Sequence, residues 1–243
     1  MSVHTKIGFL YLAGGSSKRM GLHKAMLRFS VSTEKTPAQT LLYRAVANVA
    51  EYSQGESAQE LLLENSVFDL PSELKDSREL RQLQENFPGL HLQFAEQKNG
   101  PLHGIASAQP FLSEKNVTHV FIMACDTLLL PEELYAELSQ NNTPFLTNQS
   151  SASARYFSRH SGHTGGMQSD KGRYPLFGIY PLSAFDKAKQ RVSAGKLKVM
   201  DWLDALLPAS DAIPLPDAFL PLISFNSQAE FEAAKDNYAK YHA

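Results

Sequence analysis

Short apolar segments alternate with amphipathic segments along most of the chain. Residues 7–12 are an uninterrupted apolar run that ends at a glycine pair, and residues 117–125 are a second run that ends directly at Asp126. Runs of this length without polar alternation are typical of parallel strands that are buried on both faces. We therefore predict that both segments are strands in the interior of one sheet.

Helical periodicity appears between these apolar runs. From residue 40 to residue 51 apolar side chains recur every three or four positions, which predicts an amphipathic helix, and Pro131 followed by two acidic residues is typical of a helix N-terminus. We predict further helices at 74–87, 183–192 and 198–207, a last helix from 228 onward, and a short helix that ends at 108. Further strands are predicted at 60–64, 90–94, 144–147 and 175–180, and an extended stretch at 219–225. The rest of residues 141–172 is predicted to be loop. This alternation predicts an α/β fold, with helices on both faces of a mostly parallel sheet.

Length and composition limit the class of protein. At 243 residues, the chain fits one large α/β domain, so we predict a single domain over residues 1–243. A net charge of −2 provides no overall basic field for nucleic acid or an anionic membrane, and no apolar stretch approaches the roughly 18 residues of a membrane span. The single cysteine excludes an intramolecular disulfide and suits a reducing compartment. We expect a cytoplasmic protein without a nucleic-acid or membrane partner, in which any phosphate ligand is held locally.

A glycine-rich turn follows the first predicted strand. Gly14 and Gly15 would let backbone N–H groups approach a triphosphate, and the turn is neither a P-loop nor a dinucleotide-binding fingerprint. A purely structural turn is the alternative. Lys18, Arg19 and Lys24 follow closely, and such a cluster can neutralise a triphosphate and the charge of departing pyrophosphate, although a solvated basic face would look the same.

Asp126 directly follows the strongest predicted strand. In open α/β sheets, ligands bind beyond the carboxyl ends of the strands, near the point where strand order reverses. Mg²⁺ prefers one or two carboxylates together with phosphate oxygens, so Asp126 is a candidate metal ligand. The alternative is an acid that caps a helix or a turn.

Three motifs in this order closely resemble the MobA family of molybdenum cofactor guanylyltransferases. They are Leu-Ala-Gly-Gly-x-x-x-Arg-Met-Gly-x-x-Lys at 12–24, Gly-Pro-Leu-x-Gly-Ile at 100–105 and Cys-Asp-Thr at 125–127. Phe-Asn-Ser at 225–227 is more weakly similar to the family's C-terminal Asn-x-Asn-Thr-Pro region. The resemblance implies a Rossmann-like, three-layer α/β/α nucleotidyltransferase fold. It also implies transfer of GMP from GTP to Mo-molybdopterin, with Mg²⁺ present and pyrophosphate released.

The resemblance also implies roles for individual residues. Arg19, Lys24 and Asp126 would be catalytic: Arg19 would stabilise the leaving pyrophosphate, Lys24 would bind phosphate, and Asp126 would contact both metal and nucleotide. The implied nucleotide-binding set is Leu12, Ala13, Gly14, Gly15, Lys24, Gly104, Asp126 and Asn226. The family's pathway further implies transient contact with molybdenum cofactor pathway proteins or recipient apoenzymes.

Two departures from the family pattern keep alternatives open. His23 stands where the family usually has aspartate, and Glu96 is the nearest candidate for an acid expected shortly before Gly-Pro-Leu. One alternative, suggested by the altered segment at 148–172, is a nucleotidyltransferase with another nucleotide or acceptor, such as cytidylyl transfer to the pterin or transfer to a sugar phosphate. The other is a non-catalytic relative that binds nucleotide without turnover.

Overall fold

A seven-stranded sheet forms the centre of the molecule. The structure is a computed structural model that describes residues 6–14, 22–30, 38–52, 62–95, 100–140, 154–158, 172–206 and 210–242. Its strands are β1 (Ile7–Leu12), β2 (Arg28–Phe29), β3 (Gln39–Thr40), β4 (Ser66–Pro71), β5 (His91–Ala95), β6 (His119–Ala124), β7 (Ala154–Ser158), β8 (Arg173–Pro181) and β9 (Ser210–Pro214). The sheet order is β5-β4-β1-β6-β8-β7-β9, and β2 and β3 form a separate antiparallel pair.

The order in which the chain adds strands to the sheet reverses at β1. Strands β5, β4, β1 and β6 are parallel neighbours, whereas β8 is antiparallel to both β6 and β7, and β9 is parallel to β7. The chain passes from β1 outward to β4 and β5, and then crosses back to β6 on the other side of β1. Open α/β sheets bind ligands beyond the carboxyl ends of strands at such a reversal.

Helices cover both faces of the sheet. They are α1 (Leu41–Tyr52), α2 (Arg78–Asn86), α3 (Pro101–Glu114), α4 (Pro131–Gln140), α5 (Ser183–Ser193), α6 (Val199–Asp204) and α7 (Gln228–Tyr241). Phe9 and Tyr11 of β1 join one hydrophobic cluster with α1, α2, α4 and α7, while Leu10 and Leu12 join a second cluster with α3, α5 and α6. Alternate side chains of β1 therefore serve opposite faces, and the predicted three-layer α/β/α architecture with its mostly parallel sheet is confirmed.

Two sequence predictions on the β4 side of the sheet need correction. The strand predicted at 60–64 is wrong where it can be compared, because Leu63–Asn65 forms a short 3₁₀ helix and β4 begins only at Ser66; residues 60 and 61 lie outside the described ranges. An acid, Asp69, interrupts the apolar run of β4 and hides it from a search for hydrophobic runs. The predicted helix ending at 108 instead continues to Glu114, through an internal Pro110.

The second half of the chain also differs from prediction. The segment 141–172, predicted to be mostly loop, contains β7. This strand includes Arg155 and Ser158, which are buried although polar, so its sequence resembles that of a polar loop. The strand predicted at 144–147 lies outside the described residues. The stretch at 219–225 is not simply extended, since Leu220–Leu222 is a 3₁₀ helix. Within the described ranges, no helix has both the length and the apolar character needed to cross a bilayer.

Candidate active site

The carboxyl ends of β1, β4 and β6 bring three sequence segments together. Leu12 is level with Asp69 of β4 on one side and with Ala124 of β6 on the other. The ladder continues past the strand end, because the Ala13 amide donates to the Asp69 carbonyl oxygen (2.9 Å) and the Cys125 amide donates to the Leu12 carbonyl oxygen (2.9 Å). The start of the glycine-rich turn therefore lies between two carboxylate-bearing strand ends, those of Asp69 and Asp126.

On the β6 side, a lysine ammonium is held between two oxygen atoms. Lys24, from a 3₁₀ helix that follows the turn, places Nζ 3.3 Å from Oδ2 of Asp126 and 3.0 Å from Oδ1 of Asn226. The two charged side chains retain only 15% and 22% exposure. Two oxygens converge on one positive charge, so this arrangement can bind a cation or present a cation to a phosphate.

Asn226 reaches this position because the preceding segment is attached to the loop after β6. The Ser224 amide donates to the Asp126 carbonyl oxygen (2.6 Å), and Thr127 and Ile223 form an isolated antiparallel bridge. Ser224 has a φ of 60°, in the left-handed region that serine rarely adopts. This backbone conformation ends the bridge and turns the chain toward Lys24, after which Ser227 caps α7.

Burial controls the protonation of the β6 end. Desolvation raises the pKa of the Asp126 carboxyl, and the nearby Lys24 ammonium opposes that rise by its charge and its hydrogen bond. Desolvation, reinforced by the charge of Asp126, raises the pKa of the Cys125 thiol to about 12. A neutral, buried thiol is a poor nucleophile, so the chemistry of this edge relies on charge and positioning.

On the β4 side lies a carboxylate that the sequence analysis missed. Asp69 is 4% exposed, and its Oδ1 accepts a 2.8 Å hydrogen bond from Nε2 of Gln93 in β5. Burial raises the pKa of Asp69 to about 6, against the opposing hydrogen bond from Gln93 and the charge of His103. The sequence offers only a weak signal for it, an acid in the middle of the short apolar segment that ends at Pro71.

Two glycines from separate sequence motifs meet at Asp69. A Cβ added to Gly104 in α3 would lie 2.5 Å from Oδ2 of Asp69, and a Cβ added to Gly14 would lie 2.9 Å from the same oxygen. Both distances are too short for a side chain without movement of the carboxylate. Glycine at each position thus allows a helix and a turn to close around one carboxylate oxygen.

The structure locates most of the predicted site residues. Lys24, Asp126 and Asn226 lie together, and Gly104 lies on the opposite side of the β1 end. Leu12 and Ala13 have buried side chains, so only their backbone could face a ligand at this edge. Gly14 lies against Asp69 on the β4 side. The remaining candidates, Gly15, Lys18, Arg19 and Glu96, fall outside the described residues.

The oxygen atoms on the β6 side are suitable ligands for a hard cation. Among the described residues, no group of three or more His, Cys, Asp and Glu side chains could hold a metal by itself. Asp126 and Asn226 offer one carboxylate and one amide oxygen, and both already approach a cationic nitrogen. Mg²⁺ commonly takes few protein ligands and completes its shell with phosphate oxygens and water, so this pair fits such an ion bound together with a nucleotide.

Comparison with known proteins agrees with this arrangement. The model of the MobA-like NTP transferase domain family matches residues 9–208. Molybdopterin-guanine dinucleotide biosynthesis protein A from Archaeoglobus fulgidus has a similar structure, with a TM-score of 0.57 and 17% identity over 97% of this chain and 100% of that one. A 4-diphosphocytidyl-2C-methyl-D-erythritol synthase is similar with a TM-score of 0.57 and 10% identity over 97% and 98% of the two chains. No curated protein sequence matches the chain.

At these identities the likeness to the solved structures concerns the fold, whereas the family match rests on the sequence itself. That match includes most of β1, all of β4 and β6, and all three motifs in full. Because it extends over most of the chain, the protein belongs to the MobA-like NTP transferase domain family and is a transferase of the nucleotidyltransferase type, with a nucleoside triphosphate and an acceptor as substrates.

Proposed function

We propose that this protein transfers GMP from GTP to Mo-molybdopterin and releases pyrophosphate. The observation that carries the proposal is the convergence of Lys24, Asp126 and Asn226 beside the end of β1. The motif resemblance and the family match support the same reaction class. The carboxylate of Asp69, on the other side of β1, supports the choice of guanine.

The reaction asks little covalent chemistry of the protein. A terminal phosphate oxygen of the acceptor attacks the α-phosphorus of GTP, and the bond from that phosphorus to the oxygen bridging to the β-phosphorus breaks. Positioning and charge neutralisation supply most of the rate in such transfers. The backbone of Leu12, Ala13 and Gly14 lines the phosphates, and Lys24 neutralises the charge that develops on pyrophosphate, with Arg19 proposed as its partner.

Asp126 and Asn226 are the residues that would hold Mg²⁺. When bound, the ion neutralises phosphate charge and orients the phosphate oxygens. Asp126 supplies the anionic ligand, and Asn226 supplies a neutral oxygen that is fixed by the bridge between Thr127 and Ile223. Lys24 lies within 3.3 Å of the same carboxylate and is therefore at hand for a phosphate oxygen next to the ion.

The base is selected on the Asp69 side. Guanine presents two adjacent donors, N1–H and the N2 amine, which a carboxylate can accept together. Cytosine presents one amine beside an acceptor nitrogen, and uracil presents one N–H between two carbonyl oxygens, so neither matches a carboxylate with two hydrogen bonds. Glycine at 14 and 104 keeps Cβ atoms off Oδ2 of Asp69, so no side chain at either position covers that oxygen.

Nucleotide binding and turnover test this function separately. Thermal shift with GTP, CTP, UTP and ATP, each with Mg²⁺, should show the largest stabilisation with GTP. Incubation with GTP and Mo-molybdopterin should release pyrophosphate, and Asp126→Ala should abolish the release. Asp236→Ala, which removes an exposed acid from the middle of α7, is the matched control and should retain activity.

Other outcomes would identify the alternatives. Stabilisation by CTP or UTP alone would overturn the guanylyl proposal and favour a nucleotidyltransferase with another acceptor. Binding of GTP without pyrophosphate release, with active acceptor verified independently, would favour a non-catalytic relative.

A further inference from the structure

Gln93 of β5 is the direct cross-strand neighbour of Asp69. The two residues are paired in the parallel ladder between β4 and β5. The Gln93 amide nitrogen Nε2 donates to Oδ1 of Asp69 over 2.8 Å and to the carbonyl oxygen of Gly104 over 3.0 Å. Because an amide nitrogen carries two hydrogens, one side chain ties the carboxylate to the first half of α3.

This tie fixes the orientation of the carboxylate. Oδ1 is held by Gln93, while Oδ2 packs where side chains at Gly14 and Gly104 would otherwise lie. Rotation of the carboxylate would break the hydrogen bond or press an oxygen against the two glycines. A fixed acceptor discriminates better between similar donors than a mobile one, since it loses less freedom on binding and tolerates fewer geometries.

The chemical type of the donor also matters. A lysine or arginine at this position would neutralise Asp69 and compete with the base for its oxygens. An amide orients the carboxylate through a hydrogen bond and leaves its negative charge available. Gln93 also opposes the effect of burial, because its hydrogen bond favours the ionised form of a carboxyl whose pKa burial has raised to about 6.

We propose that Gln93 is a positioning residue for base selection, which it controls by holding the Asp69 carboxylate in the orientation that receives guanine. The proposal rests on the proposed function, since it assumes that Asp69 reads the base. It extends the site to a side chain on β5 that none of the sequence motifs includes.

The test compares GTP with ITP, which lacks the N2 amine of guanine, by calorimetric titration in the presence of Mg²⁺. Gln93→Met keeps the side-chain length but removes both donor hydrogens, and Gln84→Met on the exposed face of α2 is the matched control. Loss of a hydrogen bond to a charged group should weaken GTP binding about tenfold. ITP should lose less, so the ratio of the two affinities should fall in Gln93→Met and stay unchanged in Gln84→Met.

The pH dependence of GTP binding gives a second readout that a merely structural role would not change. Among the described neighbours, His103 of α3 is the titratable group whose positive charge lowers the pKa of Asp69, and the facing residue from β5 is the neutral Gln93. Wild-type affinity should fall as pH decreases through about 6. In Gln93→Met the midpoint should move to higher pH, because the ionised carboxyl has lost a donor. Gln93→Glu, which replaces the donor with a like charge, should move it further.

Each result bears on one conclusion. If the wild type shows no preference for GTP over CTP, the proposed function fails and Gln93 has no base to select. If the wild type prefers GTP to ITP, and both folded Gln93 variants keep that preference and the wild-type midpoint, the role of Gln93 is overturned while the proposed function stands. Should Gln93→Met unfold, the isosteric Gln93→Glu carries both measurements.

Discussion

Two carboxylates lie at the same edge of the sheet in different surroundings. Asp126, at the end of β6, has a side chain that is 22% exposed and contacts the ammonium of Lys24. Asp69, at the end of β4, is buried as a residue, with 4% exposure, and accepts a hydrogen bond from a neutral amide. Burial raises the pKa of both, but among the described residues only Asp126 has a cationic side chain within 3.3 Å. The surroundings of Asp126 thus suit cations, whereas those of Asp69 suit neutral hydrogen-bond donors.

The β1 strand end separates these two environments. Leu12 pairs with both neighbouring strands, so the backbone that would contact the phosphates is hydrogen-bonded to both of the strands that carry the carboxylates. A nucleotide that lies across β1 would place its phosphates toward Asp126 and its base toward Asp69. Substitutions on the two sides should therefore affect different kinetic constants, which is how the comparison can be tested.

Removal of the charge at Asp126 should have the largest effect. Asp126→Asn keeps the side-chain size but loses the anionic ligand and the partner of Lys24. We expect the turnover number for pyrophosphate release to fall by about 10³-fold, comparable to the loss of a key electrostatic group in other enzymes. The preference for GTP over ITP should survive in binding measurements. Loss of that preference would show that the two sides are not separate.

Gly104→Ala should disturb the other side. The new methyl group would lie 2.5 Å from Oδ2 of Asp69 and 2.9 Å from Cδ2 of Leu12, which forces the carboxylate or the helix to move. We expect a loss of about 2–3 kcal/mol in the free energy of unfolding, as for other overpacked sites, and a rise in KM for GTP with a smaller change in kcat. Urea unfolding and steady-state kinetics measure both, with Ser113→Ala on the exposed face of α3 as control. An unchanged KM for GTP would show that Gly104 serves only the packing of α3 and has no part in GTP binding.

The two sides also differ in how far the sequence predicted them. Asp126 was predictable because it directly follows an uninterrupted apolar run, so its place at a strand end is a local property. Asp69 was not, because the strand was predicted at 60–64 and the acid itself breaks the apolar pattern of β4. Its contacts with Gly14, Gln93 and Gly104 depend on strand order and register, which no local pattern contains.

The same limit applies elsewhere in the fold. Asn226 lies 202 positions from Lys24 in the sequence, so only the family resemblance, and no local pattern, could place it at the site. The strand β7 escaped prediction because Arg155, a residue that is rarely buried, lies in it with 1% exposure. Periodicity predicted the helices well, since the residues of a helix that pack against the sheet lie only three or four positions apart in the sequence.

Asp69→Asn should lose the preference for GTP but gain stability, because the pKa of Asp69 is raised in the folded protein. The carboxyl titrates near 3.8 when unfolded and near 6 when folded, so between these values the folded state binds more protons. Wild-type stability therefore decreases as pH rises from about 4 to about 6 and remains lowered above that range. Asparagine avoids this cost, and we expect Asp69→Asn to be more stable than the wild type by about 1–2 kcal/mol above pH 7.

The difference in stability between Asp69→Asn and the wild type should vanish near pH 4, where residue 69 is neutral in both folded proteins. Urea unfolding across this pH range measures it, and calorimetry should show that GTP is no longer preferred over ITP. A variant less stable than the wild type at neutral pH would contradict the assignment of a costly buried charge. Asp126 lacks such a clean test, because Lys24 partly offsets its burial.

Ser224→Asn should have the smallest effect and should act only on the Asp126 side. Ser224 has a φ of 60°, and Asn116, at 55°, is the other described non-glycine residue with positive φ. Asparagine tolerates this conformation better than serine, so we expect Ser224→Asn to raise the free energy of unfolding by about 0.5 kcal/mol and Asn116→Ser to lower it similarly. Because the backbone that carries Asn226 keeps its shape, kcat and the preference for GTP should both remain. A fall in kcat with unchanged selection of GTP would show that the serine side chain itself acts on Lys24, Asp126 and Asn226. That result would still assign the C-terminal segment to the Asp126 side of the site.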